Sequence, residues 1–331
     1  GKMRRPIARF HSMCETYLWL ALSVAISFCR FTPLVQGQSL ERLQKVFLDL
    51  KFGMFIHFNM ATFHNIEHAL GTEDPATFNL TQLDIPQWAE ASRLAGMKYA
   101  VLTVRHVDGF CLWPTKTTDH NVANSPCKKD IVREFVDVFR NHGLKVGFYY
   151  SIQDRHNGPS LEIAVNQLTE LLTGYGDILI LWFDAWGKGY TTYEDYPFDT
   201  IVSHVRLLQP DCLILSNDNG KSPGPTDIRC YEHDEGRPPQ DGIPSEVCYK
   251  LQSAWFWKEI DPEREVLAVD RVIDELLIPL NANHTNFLLN CAPNRQGRLD
   301  ENVVQRLAEI GKRLAAVSGA VDEEEVEREK K

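Results

Sequence analysis

From residue 51 onward the chain alternates between two kinds of segment, and this alternation restricts its fold more than any other feature. KFGMFIHF at 51–58, GMKYAVLTV from Gly96 to Val104, GLKVGFYYS from Gly143 to Ser151, GDILILWFD from Gly176 to Asp184 and PDCLILSN from Pro210 to Asn217 are short apolar or aromatic runs, mostly entered through Gly or Pro. Such runs suit strands buried on both faces, as in parallel sheets. Between them, Pro86–Leu94, Lys129–Asn141, Leu161–Leu172 and Phe198–Leu208 repeat apolar residues every three to four positions, the helical period. Strand alternating with helix predicts parallel pairing through right-handed crossovers. Counting on through TDIRCYE, a strand near YKLQSAWFW and TNFLLN gives about eight units, so the predicted fold is α/β, a (β/α)8-like TIM barrel. The rival is an open doubly wound sheet, whose nucleotide-binding form needs a glycine fingerprint; neither GxGxxG nor GxxxxGK[ST] occurs. At 331 residues and 44% hydrophobic composition the chain can bury one large core. One more helix is expected at Asp300–Val317, so the barrel spans 38–317 and residues 318–331, ending in DEEEVEREKK, form a charged solvated tail.

The N-terminus differs in kind. Lys2, Arg4, Arg5 and Arg9 precede an apolar segment from Tyr17 to Phe28, and Val35-Gln36-Gly37 then offers compact residues at a cleavage position. Residues 1–37 therefore read as a signal peptide, with a short membrane anchor as the other reading. The apolar segment is shorter than a spanning helix, so no stable membrane insertion is expected, and the product is expected to be secreted, or lumenal or periplasmic. A net charge of -10 argues against nucleic acid as a partner. Beyond residue 37 lie Cys111, Cys127, Cys212, Cys230, Cys248 and Cys291, several in apolar runs where a free thiol is as natural as a disulfide. No CxxC or Cys/His spacing occurs, and neither a metal nor an organic cofactor is expected. Asn79-Leu80-Thr81 and Asn283-His284-Thr285 match the N-glycosylation triplet.

Function should lie at the carboxyl ends of the strands, where parallel α/β folds carry their sites. The run ILILWFDAW delivers one carboxylate there, Asp184, with Trp182 beside it; its other reading is a cap for the next helix or turn. The first strand ends in His57, the second in Arg105-His106-Val107-Asp108 and the third in Tyr149-Tyr150, while TDIRCYE leads to Glu232, His233, Asp234 and Glu235. Two carboxylates from different strands among His, Tyr and Trp suit a sugar site. Aromatic faces pack on a pyranose, imidazoles and phenols bond its hydroxyls, and two carboxyls divide nucleophile and acid/base duties. Taken alone, His57 is equally a core histidine, and the other reading of Glu232 is a partner for Arg229 or Arg237 at the barrel rim.

These residues resemble the α-L-fucosidases of the glycoside hydrolases over about Gln38 to Arg313. KFGMFIHF is similar to the family's first-strand motif, DPATFN with QWAEASRLAGMKYAVLT to its next unit, RHVDGFCLWPTKTTDHNVANSP to a long signature usually written with KHHDGF, WFD to the nucleophile strand, and NFLLNCAPNRQGRL to the closing motif. The resemblance implies a retaining exo-enzyme that removes terminal α-L-fucose from glycans by double displacement. It implies Asp184 as nucleophile; His57, Glu67, His106, Tyr150 and Trp182 as pocket residues; and Trp255 or Trp257 as a residue closing the pocket. The acid/base falls among Glu232, Asp234 and Glu235, and Glu232 is favoured because it directly ends its strand. The chain departs from the pattern at Val107, where the family has a second His, at His68, where it has Trp, and in a short loop after Ser151. The β-sandwich that commonly follows the barrel is not expected here. Val107 and the short loop motivate a second reading, a fucose-binding barrel with reduced or lost turnover. A related retaining glycosidase of different sugar specificity is a third, because fold kinship does not fix substrate.

Overall fold

The computed structural model describes residues 38–329, apart from 188, 222–223 and 233–237 and the side chains of 318–329. The signal-peptide reading of 1–37 lies outside the described residues. Eight parallel strands close into a barrel in chain order: β1 (Phe52–Ile56), β2 (Tyr99–Arg105), β3 (Lys145–Ser151), β4 (Ile180–Asp184), β5 (Leu213–Ser216), β6 (Ile228–Glu232), β7 (Ser245–Lys250) and β8 (Thr285–Asn290), with β8 pairing back onto β1. Helices Ile85–Leu94, Ile131–Asn141, Leu161–Gly174 and Phe198–Leu208 follow the first four strands, as their periodicity predicts. Each of the first three starts on a side-chain cap, Asp84, Asp130 or Ser160, which satisfies a backbone N–H of the first turn. Among the described residues β5 and β6 are each followed only by loop. The last helix runs from Glu301 to Glu329, so its backbone continues through much of the segment expected to be a tail. Gly311 lets it approach closely, since a Cβ there would collide with the carbonyl of Leu94.

The seventh strand sits earlier than its aromatic residues suggest. It is SEVCYK, and AWFW lies in the loop beyond it. The Leu251 N–H bonds Asn290 O at 3.0 Å as the ladder ends, and Leu267 N then returns to Leu251 O at 2.9 Å. In this loop Phe256 and Trp257 are buried and Trp255 is half-buried, all without strand pairing.

Strand alternation sorts side chains into two layers. Met54, Ile56, Ala100, Leu102, Phe148, Tyr150, Leu181 and Phe183 pack with helix residues such as Val132, Phe135 and Leu168. Their neighbours Phe55, Tyr99, Val101, Tyr149, Ile180, Trp182, Leu213, Leu215, Cys230 and Cys248 fill the barrel interior. Phe47, from helix Leu40–Leu48, plugs the amino end with its ring 5.5 Å from Tyr99, a burial that contributes about 2 kcal/mol. Gly53 is required on β1 because the Tyr99 ring occupies the space a Cβ would take.

Candidate active site

The inward parity of each strand carries through to its carboxyl end. Phe55 leads to His57, Trp182 to Asp184, Leu215 to Asn217 and Cys230 to Glu232, so four functional groups emerge around one cavity of about 270 Å³. On β2 the parity is broken. A register shift between Thr103 and Arg105 turns Arg105 outward, over the Tyr150 ring and against Asp154 and Gln167, and brings His106 into the cavity.

Asp184 Oδ2 accepts the Tyr149 hydroxyl at 2.7 Å, and its Oδ1 accepts Asn217 Nδ2 at 3.1 Å and the Ala185 N–H at 2.7 Å. Ala185 holds a left-handed backbone with φ of 53°, which turns the chain away just after the carboxylate. Asn217 Nδ2 also reaches Glu232 Oε1, at 2.6 Å. Two hydrogen bonds to one nitrogen place those two carboxyl oxygens within about 6 Å of each other. Burial and the neighbouring Asp184 push the Tyr149 hydroxyl far above its ordinary range, so it remains a donor.

The walls are aromatic. Trp182 stacks on Tyr149 with centroids 5.3 Å apart, and Phe55 and Trp255 complete one side. His57 is held by Asn290 Oδ1, 2.8 Å from its Nδ1, and burial brings its imidazole down to about 3. Burial likewise holds His106 well below its usual range, with His57 and His68 adding to the effect. Both rings are therefore neutral near pH 7 and can donate and accept hydrogen bonds. Glu67 enters from the loop after β1: its Oε1 pairs with Lys258 Nζ at 2.9 Å, and its Oε2 accepts the Trp255 N–H at 3.1 Å. Among the described residues no group of three or more His, Cys, Asp or Glu is arranged to hold a metal.

Asp184, Glu232, His57, Glu67, His106, Trp182 and Trp255 thus line one cavity. Two expected residues do not. Tyr150 faces the helix layer, with its hydroxyl on Gln167 Oε1 at 2.8 Å, because consecutive strand residues point to opposite faces; Tyr149 takes the place assigned to it. Trp257 turns away from the cavity and donates to Asp300 Oδ2 at 2.7 Å beneath Arg295, leaving Trp255 as the indole at the mouth. Glu235 and Asp234 lie outside the described residues. Arg229 pairs with Asp241 at 2.7 Å. The six cysteines at 111, 127, 212, 230, 248 and 291 are free. Thr285 of the second glycosylation triplet is buried as the first residue of β8, whereas Asn79 of the first is exposed.

Sequence reasoning missed Asn217, Glu246, Gln153 and Arg155, and named His68, which lines the cavity, only as a departure from the family pattern. Asn217 had a readable signal, a polar residue at a strand's carboxyl end. Glu246 had another, a lone carboxylate inside an apolar strand; it lies in the barrel interior, where Oε1 accepts Trp182 Nε1 at 2.9 Å and Oε2 accepts the Tyr99 hydroxyl. Gln153 and Arg155 show that the short loop after β3 still forms cavity wall, with the Arg155 N–H on Val107 O at 2.9 Å.

Comparison with known proteins bears on the family and the fold. Residues 72–318 match the family model described as Alpha-L-fucosidase. The chain belongs to the alpha-L-fucosidase family. It is 31% identical over 317 residues to Alpha-L-fucosidase 1 of Arabidopsis thaliana, covering 85% of this chain and 60% of that protein. Against Putative alpha-L-fucosidase 1 of Oryza sativa it is 31% identical, covering 78% of this chain and 56% of that one, so the chain spans somewhat over half the length of these curated relatives. Among solved structures, Alpha-L-fucosidase isoenzyme 1 from Paenibacillus thiaminolyticus superposes with a TM-score of 0.74 at 30% identity, covering 84% of this chain and 76% of that one. The likeness to this structure covers most of the described barrel.

Proposed function

We propose that this chain is a retaining exo-α-L-fucosidase acting on terminal α-L-fucose of glycans. The observation that carries the reading is the shared contact of Asn217 Nδ2 with Asp184 and Glu232. A limit of about 6 Å between these two facing oxygens suits retaining glycosidases, whose carboxyls lie about 5–5.5 Å apart, better than inverting ones, at about 6.5–9.5 Å. Asp184 attacks the anomeric carbon as its bond to the leaving oxygen breaks, and Glu232 gives its proton to that oxygen. Water then attacks the glycosyl ester, passing its proton to Glu232 and releasing Asp184 as carboxylate. Trp182, Tyr149, Phe55 and Trp255 supply apolar faces for a sugar that lacks a C6 hydroxyl, while His57, His106 and Glu67 bond its remaining hydroxyls. A cavity of about 270 Å³ suits one monosaccharide, hence removal from a chain end. The N-terminal basic and apolar segments support export to a secreted, lumenal or periplasmic location.

Hydrolysis of an aryl α-L-fucoside followed by early-time NMR tests this. The α-anomer should appear first, the matching galactoside should react far more slowly, and Asp184→Ala should abolish turnover in a folded protein. Early β-fucose would refute the assignment of roles, and binding of fucose without turnover would favour the binding-barrel reading.

A further inference from the structure

Asn217 follows β5 with its N–H still on Phe183 O at 2.8 Å, so its side chain keeps the inward direction of Leu215 and is almost completely buried. Its Nδ2 lies 3.1 Å from Asp184 Oδ1 and 2.6 Å from Glu232 Oε1, while its Oδ1 faces the Cys230 thiol at 3.7 Å. An amide nitrogen carries two N–H donors, and an ionised carboxylate only accepts, so this orientation assigns one N–H to each carboxyl. Resting on the retaining reading above, we infer that Asn217 is the positioning residue that holds nucleophile and acid/base together and donates to whichever of them carries the negative charge.

The reasoning follows the charge. Before the first step Asp184 is the anion and Glu232 holds the proton. As the ester forms, Asp184 loses its charge, and Glu232 gains it on giving its proton to the leaving oxygen. The pair holds one negative charge throughout, moved from one acceptor to the other, and it returns in the second step. Asn217 bonds both sites, so the charge is met by a donor already in place at each end, with no reorganisation. The Tyr149 hydroxyl bonds Asp184, which biases the resting charge toward the nucleophile, as the first step requires. Among the described residues, the other titratable or charged groups that line this cavity are Tyr149 from β3, Cys248 from β7, His57, His106, Glu67, His68, Arg155 and Tyr190, with Cys230 of β6 against the Asn217 amide.

The test is the pH dependence of kcat/KM on an aryl α-L-fucoside for wild type, Asn217→Ala and the isosteric Asn217→Asp, with thermal midpoints measured alongside. Losing a donor to a charged group should lower kcat/KM of Asn217→Ala about tenfold to a hundredfold. Because the lost N–H groups favoured the ionised form of both carboxyls, both limbs of the bell should move to higher pH, by about one unit. Asn217→Asp keeps the shape but adds a carboxyl beside the pair, so its limbs should move at least as far; it decides the matter if the Ala variant does not fold. Wild type that retains configuration, with limbs unmoved in the variants, would overturn the role of Asn217 alone. Wild type that inverts or does not turn over would overturn the retaining reading, and the role of Asn217 with it.

Discussion

Glu246→Gln should change how stability depends on pH. The Glu246 carboxyl is buried in the barrel between Trp182 Nε1 and the Tyr99 hydroxyl, and burial raises it from 4.5 to about 7. In the unfolded chain it ionises near its ordinary value. Between those two points the unfolded state releases a proton that the folded state keeps, so the folded state loses stability as pH rises through the window. A gap of about 2.5 units corresponds to about 3 kcal/mol, felt almost fully by pH 8 and hardly at all at pH 4.5. Glutamine has the same shape, accepts from Trp182, bonds the Tyr99 hydroxyl through its amide and does not titrate. Unfolding measured by denaturant or heat from pH 4.5 to 8 should therefore show the variant gaining about 3 kcal/mol on wild type across the range, or about 6 °C in Tm. Other perturbed groups, such as Asp108 (raised to about 7) and His57 (lowered to about 3), titrate in both proteins and cancel in the difference. A difference between the two proteins that stays constant with pH would refute the account of Glu246 as a buried neutral acid.

Glu232→Ala should nearly abolish cleavage of a natural fucosyl oligosaccharide, slow attack on an activated aryl fucoside much less, and regain turnover with azide, yielding fucosyl azide, because azide needs no general base; if Glu235→Ala shows this pattern instead, the role passes to Glu235. Val107→His places a hydrogen-bonding ring on the cavity wall, and a new contact that strengthens in the transition state raises kcat/KM tenfold for about 1.4 kcal/mol. A fall in kcat/KM in a folded Val107→His protein would mean the wall has repacked around valine.

Apolar runs spaced by amphipathic stretches demand parallel strands covered by helices, and a count of about eight favours closure over an open sheet, so the barrel was legible from hydrophobic period even though its seventh strand, Ser245–Lys250, forms earlier than the aromatic run suggested. Asp184 and Glu232 were legible by the same physics: a carboxylate ending a buried strand has to emerge where water or substrate meets it. The choice between adjacent aromatics was not. Tyr149 and Tyr150 are chemically alike, and only the register of β3 against β4, with Tyr149 opposite Trp182 and Ser151 opposite Asp184, decides which ring enters the cavity. The bulge on β2 that turns His106 inward and Arg105 outward is likewise a property of two paired strands and not of either run alone. Trp255 and Trp257 differ by two residues in a loop, where no strand period orders them, and partners from distant segments decide their places: Asn290 Nδ2 holds the Trp255 backbone carbonyl, and Asp300 accepts the Trp257 indole N–H. Asn217 acquires its place only when β4, β5 and β6 close side by side, since a hydrogen bond between residues 33 positions apart has no local signal to announce it.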